Sequence, residues 1–288
     1  MSDFDSRVEL SYKLLESCRV CPRKCGVNRL KDERGVCGMG KDLMISSYGP
    51  HFGEEPELVG RGGSGTIFLS GCNLGCMFCQ NYTISHFKDG EIVAKEKFID
   101  IMFVLEDMGC HNINFVTPTH FGPQILEAII ESKKKGLRLP IVYNCGGYES
   151  LEMVRLFDGL IEIYMPDFKY SGSKVAKELA NAPDYPEVCK GAIKEMHRQV
   201  RDLVIDDGIA VRGLLVRHLV MPYDLAGTDE VMRFLAEEIS KDTYVNIMDQ
   251  YYPAYRAVMH PKLNRRITTA EYDKAVAIAH SYGLHRGF

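Results

Sequence analysis

Residues 66–81 read TIFLSGCNLGCMFCQN. The first five form a short, apolar, β-branched run, the pattern of a parallel strand buried on both faces. Gly71 ends the run, and cysteines follow at 72, 76 and 79 with the spacing Cys-x3-Cys-x2-Cys. Three thiols therefore sit on a loop directly after a strand. Strands of the same character are predicted at residues 112–116 (NINFV), 141–145 (IVYNC), 161–167 (IEIYMPD), 213–220 (GLLVRHLV) and 244–250 (YVNIMDQ). Amphipathic helices are predicted at 98–108, 123–135, 150–157, 186–206, 229–240 and 269–282. Pro123 suits a first helical turn, Ser150 and Thr269 are expected caps, and Gly109, Gly136 and Gly283 expected terminators. Six strand–helix units in series predict an α/β fold with a parallel, right-handed array. Six fall short of the eight in a closed barrel, so an open, partial (βα)6 TIM-like barrel is expected, with its active site at the C-terminal strand ends.

Composition narrows the function classes. The chain has 288 residues, 45% hydrophobic and 26% charged, enough for one sizeable core. Its formal net charge of −4 supplies no field toward nucleic acid or an anionic membrane. Charges interrupt every apolar run well short of the ~20 residues that span a bilayer. The first 18 residues, MSDFDSRVELSYKLLESC, are acidic and lack an apolar signal core, so a cytoplasmic protein is expected. Of its ten cysteines, Cys110, Cys145 and Cys189 stand alone and seven fall into two clusters. In a reducing compartment such clusters point to metal before disulfides. The first cluster, with a short helix predicted at 8–16, marks residues 1–60 as a cysteine-rich N-terminal segment packed on a barrel of residues 61–288.

Three thiolates hold three corners of a [4Fe–4S] cube and leave the fourth iron without a protein ligand. Such an iron accepts the amino and carboxylate groups of a methionine-derived sulfonium. An electron from the reduced cluster then breaks a C–S bond, giving methionine and a 5′-deoxyadenosyl radical, while the protein orients and shields. A structural zinc site favours paired spacings and four closed ligands, and no fourth ligand lies near this triad in sequence. A non-enzymatic electron carrier gains nothing from an open coordination position.

The segment CNLGCMFCQN resembles the signature of the radical S-adenosylmethionine (SAM) superfamily. The order of later segments is similar to the activating enzymes of glycyl radical enzymes, above all the pyruvate formate-lyase activating enzyme-like group, which also carries a CPRKCG-type N-terminal segment. The resemblance implies an anaerobic oxidoreductase with a [4Fe–4S] cluster and S-adenosylmethionine, served by an electron donor such as flavodoxin or ferredoxin. It implies hydrogen abstraction from a glycine of a glycyl radical enzyme, with a small molecule or peptide as the alternative substrate. By position it assigns Phe78 to the adenine and Asn81 to the polar site after the motif. Asn144-Cys-Gly-Gly147 falls on the ribose and carboxylate region, and Asp167-Phe-Lys169 on an Asp-x-Lys motif beside the cofactor. Arg217-His-Leu-Val-Met-Pro222 falls on an Arg-containing segment, with His218 in place of an aromatic. Where the family carries Gly-Gly-Glu for the methionyl amino group, this chain reads Val116-Thr-Pro-Thr-His120, leaving Thr117 or backbone carbonyls for that contact. The chemistry agrees: Lys169 and Arg217 can pair with a carboxylate, Asp167 can hold a cation or ribose hydroxyl, and Asn144 both donates and accepts.

Cys18-x2-Cys21-x3-Cys25-x11-Cys37 offers four thiolates, with Pro22, Gly26, Gly35 and Gly38 for tight turns. Zinc and a second iron–sulfur cluster both suit such a set. His120 and His218, at predicted strand ends, are candidate proton donors or substrate ligands against the ordinary reading as structural histidines. Gln250-Tyr-Tyr-Pro-Ala-Tyr255 is a candidate groove lining, and Cys145 reads as a small buried hydrophobe. Arg61-Gly-Gly-Ser-Gly65 precedes a strand and opens no helix, which excludes a phosphate loop.

Overall fold

The computed structural model describes residues 3–288. Its strands, in chain order, are β1 (Leu43–His51), β2 (Ser64–Leu69), β3 (Glu91–Val93), β4 (Ile113–Val116), β5 (Ile141–Cys145), β6 (Ile163–Pro166), β7 (Val204–Asp206), β8 (Ile209–Leu219) and β9 (Tyr244–Met248). The six expected strands are β2, β4, β5, β6, β8 and β9, and they pair in that order, all parallel. Among the described residues no pairing joins β9 to the far edge, where β1 and β3 add antiparallel strands beyond β2. The result is a mixed α/β fold with an open parallel sheet of the partial-barrel type. Among these residues no helix is long and apolar enough to cross a membrane.

Alternation along the parallel strands sorts side chains between two faces. One face carries Tyr143, Cys145, Tyr164, Leu214 and Val216 into the main core beneath the helices. The other forms a second buried cluster, with Val142, Ile163, Met165, Leu215 and Tyr244 gathered around Leu58. Leu58 belongs to a single helical turn, Pro56–Val59, which leaves β1 and packs against β8. It is a plug in the concave face of the sheet. Two residues further along β5, β6 and β8 the same face turns polar, at Asn144, Asp167 and Arg217.

Several local expectations are corrected. The helix predicted to run to residue 206 is Tyr185–Val200; Arg201 takes φ +64°, and residues 204–206 fold back as β7. The cause is legible afterwards. Asp207-Gly208, both at positive φ, make the two-residue turn that matches strand twist and join β7 to β8. A helix at Ser173–Ala180 was not expected. Thr268, not Thr269, caps the last helix, in a reciprocal pairing with Glu271. Ser150 occupies a cap position without a side-chain capping bond. Residues 43–51, expected within the N-terminal segment, enter the sheet as β1. Their polar Ser46-Ser47 and Gly49-Pro50 weaken the strand signal, and an edge position tolerates both. The N-terminal helix, Asp3–Glu16, packs on the outer helix Gly122–Lys134, with the Tyr12 hydroxyl donating to Glu127 at 2.6 Å.

Removing the plug's side chain should be costly. Leu58→Ala is expected to lower stability by about 2–5 kcal/mol in denaturant titrations, the usual range for a large-to-small core change. A loss under about 1 kcal/mol would show that the turn is not packed as described.

Candidate active site

The loop after β2 is held from both sides. Asn73 donates its amide to the Tyr148 carbonyl at 2.7 Å, and the Met77 N–H donates to Leu179 O at 2.9 Å. The Arg256 N–H in turn donates to Met77 O at 3.0 Å. Donors are aimed at the sulfurs. The Leu74 N–H lies 3.4 Å from Cys72 Sγ, the Tyr170 hydroxyl 3.5 Å from Cys76 Sγ, and Ser85 Oγ 3.1 Å from Cys79 Sγ. Burial pushes the Cys72 thiol up to about 12. In this pocket a thiolate needs a metal's charge to form.

Below the thiols lies a layer of charge. The Arg217 guanidinium donates to Asp167 Oδ1 at 2.8 Å, to Asn144 Oδ1 at 2.6 Å and to Glu54 Oε2 at 3.4 Å. Lys169 Nζ donates to the other Asp167 oxygen at 2.5 Å. Strand register makes this possible, since Asp167 and Arg217 are bridge partners across β6 and β8. Burial alone would raise the Asp167 carboxyl, but Arg217 and Lys169 outweigh it and hold it below its usual value. Burial likewise opposes the Lys169 charge, and Asp167 outweighs it, raising that group. Glu54 is pushed the other way: burial lifts it to about 7 despite Arg217.

The strand ends are tied together. The Tyr185 hydroxyl contacts the carbonyls of Gly146 and Asp167 and the N–H of Lys169, all within 2.9 Å. Gly147 sits at φ +75°, where an added Cβ would stand 2.2 Å from the Asp167 carbonyl oxygen. Thr117, between β4 and Pro118, also has positive φ, at +62°. For a β-branched residue before proline this is strained backbone, of a kind that gathers at functional sites.

A single cavity of about 340 Å³ opens at these ends, lined by Cys72, Cys76, Cys79, Phe78, Asn81, Thr117, Asn144, Asp167, Lys169 and Arg217. These are the residues that the resemblance assigns to the barrel site, and Gln250 lines the cavity with them. His120 and His218 are not. His120 is buried against Phe121 with Nε2 2.7 Å from the Ser70 carbonyl, and burial lowers it to about 3. His218 faces the outer layer, where it contacts Phe168 O at 2.8 Å and Thr228 Oγ1 at 3.0 Å. His218 thus has both ring nitrogens partnered, whereas the buried Nδ1 of His120 has no hydrogen-bond partner; neither ring lines the cavity. Tyr251 is buried with its hydroxyl donating to Leu263 O at 2.7 Å, and its ring lies 6.1 Å from Phe78. Cys145 borders the cavity and packs into the outer core.

Sequence reasoning missed His51 and Glu54, which line the cavity from the far end of β1. A Glu-Glu-Pro run reads as a solvated turn. Only the plug, which drives that turn into the concave face, makes Glu54 interior.

The donor set fits an iron–sulfur cube. Three cysteines without disulfide partners share one loop at the cavity. A cube takes one thiolate at each of three corners, the number this loop supplies.

Residues 66–214 match the Radical SAM superfamily, so this open-barrel array with a cysteine loop on its first parallel strand belongs to that superfamily. Its cofactors are a [4Fe–4S] cluster and S-adenosylmethionine. The chain is 31% identical to Uncharacterized protein MJ0674 of Methanocaldococcus jannaschii, over 97% of this chain and 79% of that one. It is 23% identical to Uncharacterized protein MJ0808 of the same organism, over 91% and 77%. Methylornithine synthase (PylB) is similar in structure, with a TM-score of 0.50, 12% identity and coverage of 74% of this chain and 60% of that one. HydG, a maturase of the [FeFe]-hydrogenase, gives 0.50 at 14% identity, over 75% and 48%. The chain thus spans less than two thirds of these solved structures, and the likeness is one of fold.

Beneath the cavity, Glu149 accepts from the Thr119 hydroxyl at 2.6 Å and the Tyr143 hydroxyl at 3.0 Å, and burial raises it to about 7. The folded protein thus keeps a proton that the unfolded chain releases near its ordinary value. Stability from this group is complete below about pH 4.5 and erodes as pH rises toward 7. Relative to Glu149→Gln, the wild type should lose on the order of 3 kcal/mol between pH 5 and 8. Parallel curves from denaturant midpoints would refute the buried carboxyl.

Proposed function

We propose that this radical SAM enzyme abstracts hydrogen from a polypeptide segment presented at the cavity mouth, a backbone glycine of a partner chain being the donor. When bound, the cluster and S-adenosylmethionine supply a 5′-deoxyadenosyl radical that removes a hydrogen atom. Cys72, Cys76 and Cys79 hold the cluster. Lys169 and Arg217 face the cofactor's carboxylate, Asn144 and Asp167 its ribose, and Phe78 and Asn81 its adenine end. Thr117 stands where the methionyl amino group is expected.

The observation that carries the substrate reading is the cavity's size. At about 340 Å³ it lies at the low end of small-molecule sites, roughly 300–1,000 Å³. A cavity of that size is largely filled by the cofactor, so the substrate approaches from outside. A second reading, a small molecule bearing a cationic group, is favoured by Glu54. This buried carboxyl group lies 3.4 Å from Arg217 and 3.5 Å from Asn144 and also pairs with the neighbouring Glu55.

Two measurements test this. Lys169→Ala should keep its iron yet bind S-adenosylmethionine about tenfold more weakly, a loss of ~1.4 kcal/mol; unchanged affinity removes Lys169 from the site. Anaerobically reconstituted enzyme, reduced with dithionite, should form 5′-deoxyadenosine and take deuterium from α-deuterated glycine in a peptide or partner protein. Turnover without deuterium transfer from any polypeptide, but with transfer from a small cationic substrate, decides for the second reading.

A further inference from the structure

We infer that Cys18, Cys21, Cys25 and Cys37 hold a second metal centre through four thiolates, and that Arg23 uses this centre to position the radical-cluster loop. The inference is independent of the substrate. Backbone turns gather the four cysteines: the Gly26 N–H donates to Cys18 O at 3.1 Å, the Cys18 N–H to Val27 O at 2.8 Å, and the Gly38 N–H to Gly35 O at 3.0 Å. The thiols lie near enough to feel one another's charge. Three of them receive backbone N–H donors: Cys25 from Val36 at 3.4 Å, Cys21 from Arg23 and Cys37 from Met39. Four uncrosslinked thiols at such spacing are a ligand set for a thiophilic metal.

The knuckle grips the active-site loop. Arg23, between Cys21 and Cys25, donates Nε to Asn73 O at 2.7 Å and Nη2 to Leu74 O at 2.9 Å and Ala180 O at 2.8 Å. It also donates to the Asn181 carbonyl, and its guanidinium lies over the Tyr148 ring at 5.2 Å. Asn73 and Leu74 are two of the three residues between the first two cluster cysteines. At a second contact Gly71, φ +81°, lies so close to the knuckle that an added Cβ would stand 3.1 Å from Cys37 O. An arginine satisfied by four carbonyls is a rigid strut only if its own loop is rigid, and a four-thiolate centre supplies that rigidity.

The test uses the full chain, prepared anaerobically. The triple variant Cys72→Ala, Cys76→Ala, Cys79→Ala should retain metal, either about one zinc or about four irons with matching sulfide. A metal-free triple variant overturns the centre. With the triad intact, Cys18→Ser with Cys21→Ser should lose that metal, and the reduced cluster's EPR signal should no longer shift on adding S-adenosylmethionine. Arg23→Ala should keep the second metal and lose the same shift, with partial recovery in Arg23→Lys. A normal shift in Arg23→Ala overturns the positioning role even if the cysteine variant fails to fold.

Discussion

A buried guanidinium must find acceptors, and Arg217 finds them on three separate elements. Asp167 reaches it from the end of β6, Asn144 from β5 and Glu54 from the turn after β1. Breaking such a pair from one side typically costs about 3–5 kcal/mol, because the remaining charge is left in a medium that cannot solvate it. The strand ends and the plug are therefore held in one arrangement. Without that arrangement the cavity has no floor.

The layering follows. Toward the N-terminal ends, the concave face is apolar and closed by Leu58. In the middle it is ionic, and at the top it carries the thiols of the cysteine loop. A reactive carbon radical needs such a setting, since preorganised groups in a dry pocket act at full strength and shield the reaction from solvent. The cavity at the strand ends is about the size of the cofactor, which directs attention to what meets its mouth.

Much of this was legible in one dimension. The six parallel strands announce themselves because both faces are buried, which makes their sequences apolar and β-branched nearly throughout. The cysteine loop announces itself because a cube held at three corners demands fixed spacing. The antiparallel additions escape for the opposite reason: β1 is half-exposed and β7 exposed, so no unbroken apolar run marks them, and the predicted helix runs through β7 up to the Asp207-Gly208 turn. His120 and His218 looked functional because strand ends often are. Strand alternation sends His218 to the outer face, and His120 turns into the core against Phe121.

What the sequence alone determined is the chemistry and the array: the thiol triad, the order of the strands, and Asn144, Asp167, Lys169 and Arg217 at their ends. These depend on spacing and on period-two alternation, both local properties of the chain. Only the tertiary structure decided that the turn at Glu54–Val59 closes the concave face, and that Arg23 spans from one cysteine knuckle to the other loop. Those contacts join residues 50 to 163 positions apart, and no local pattern encodes which distant carbonyl or guanidinium will be waiting.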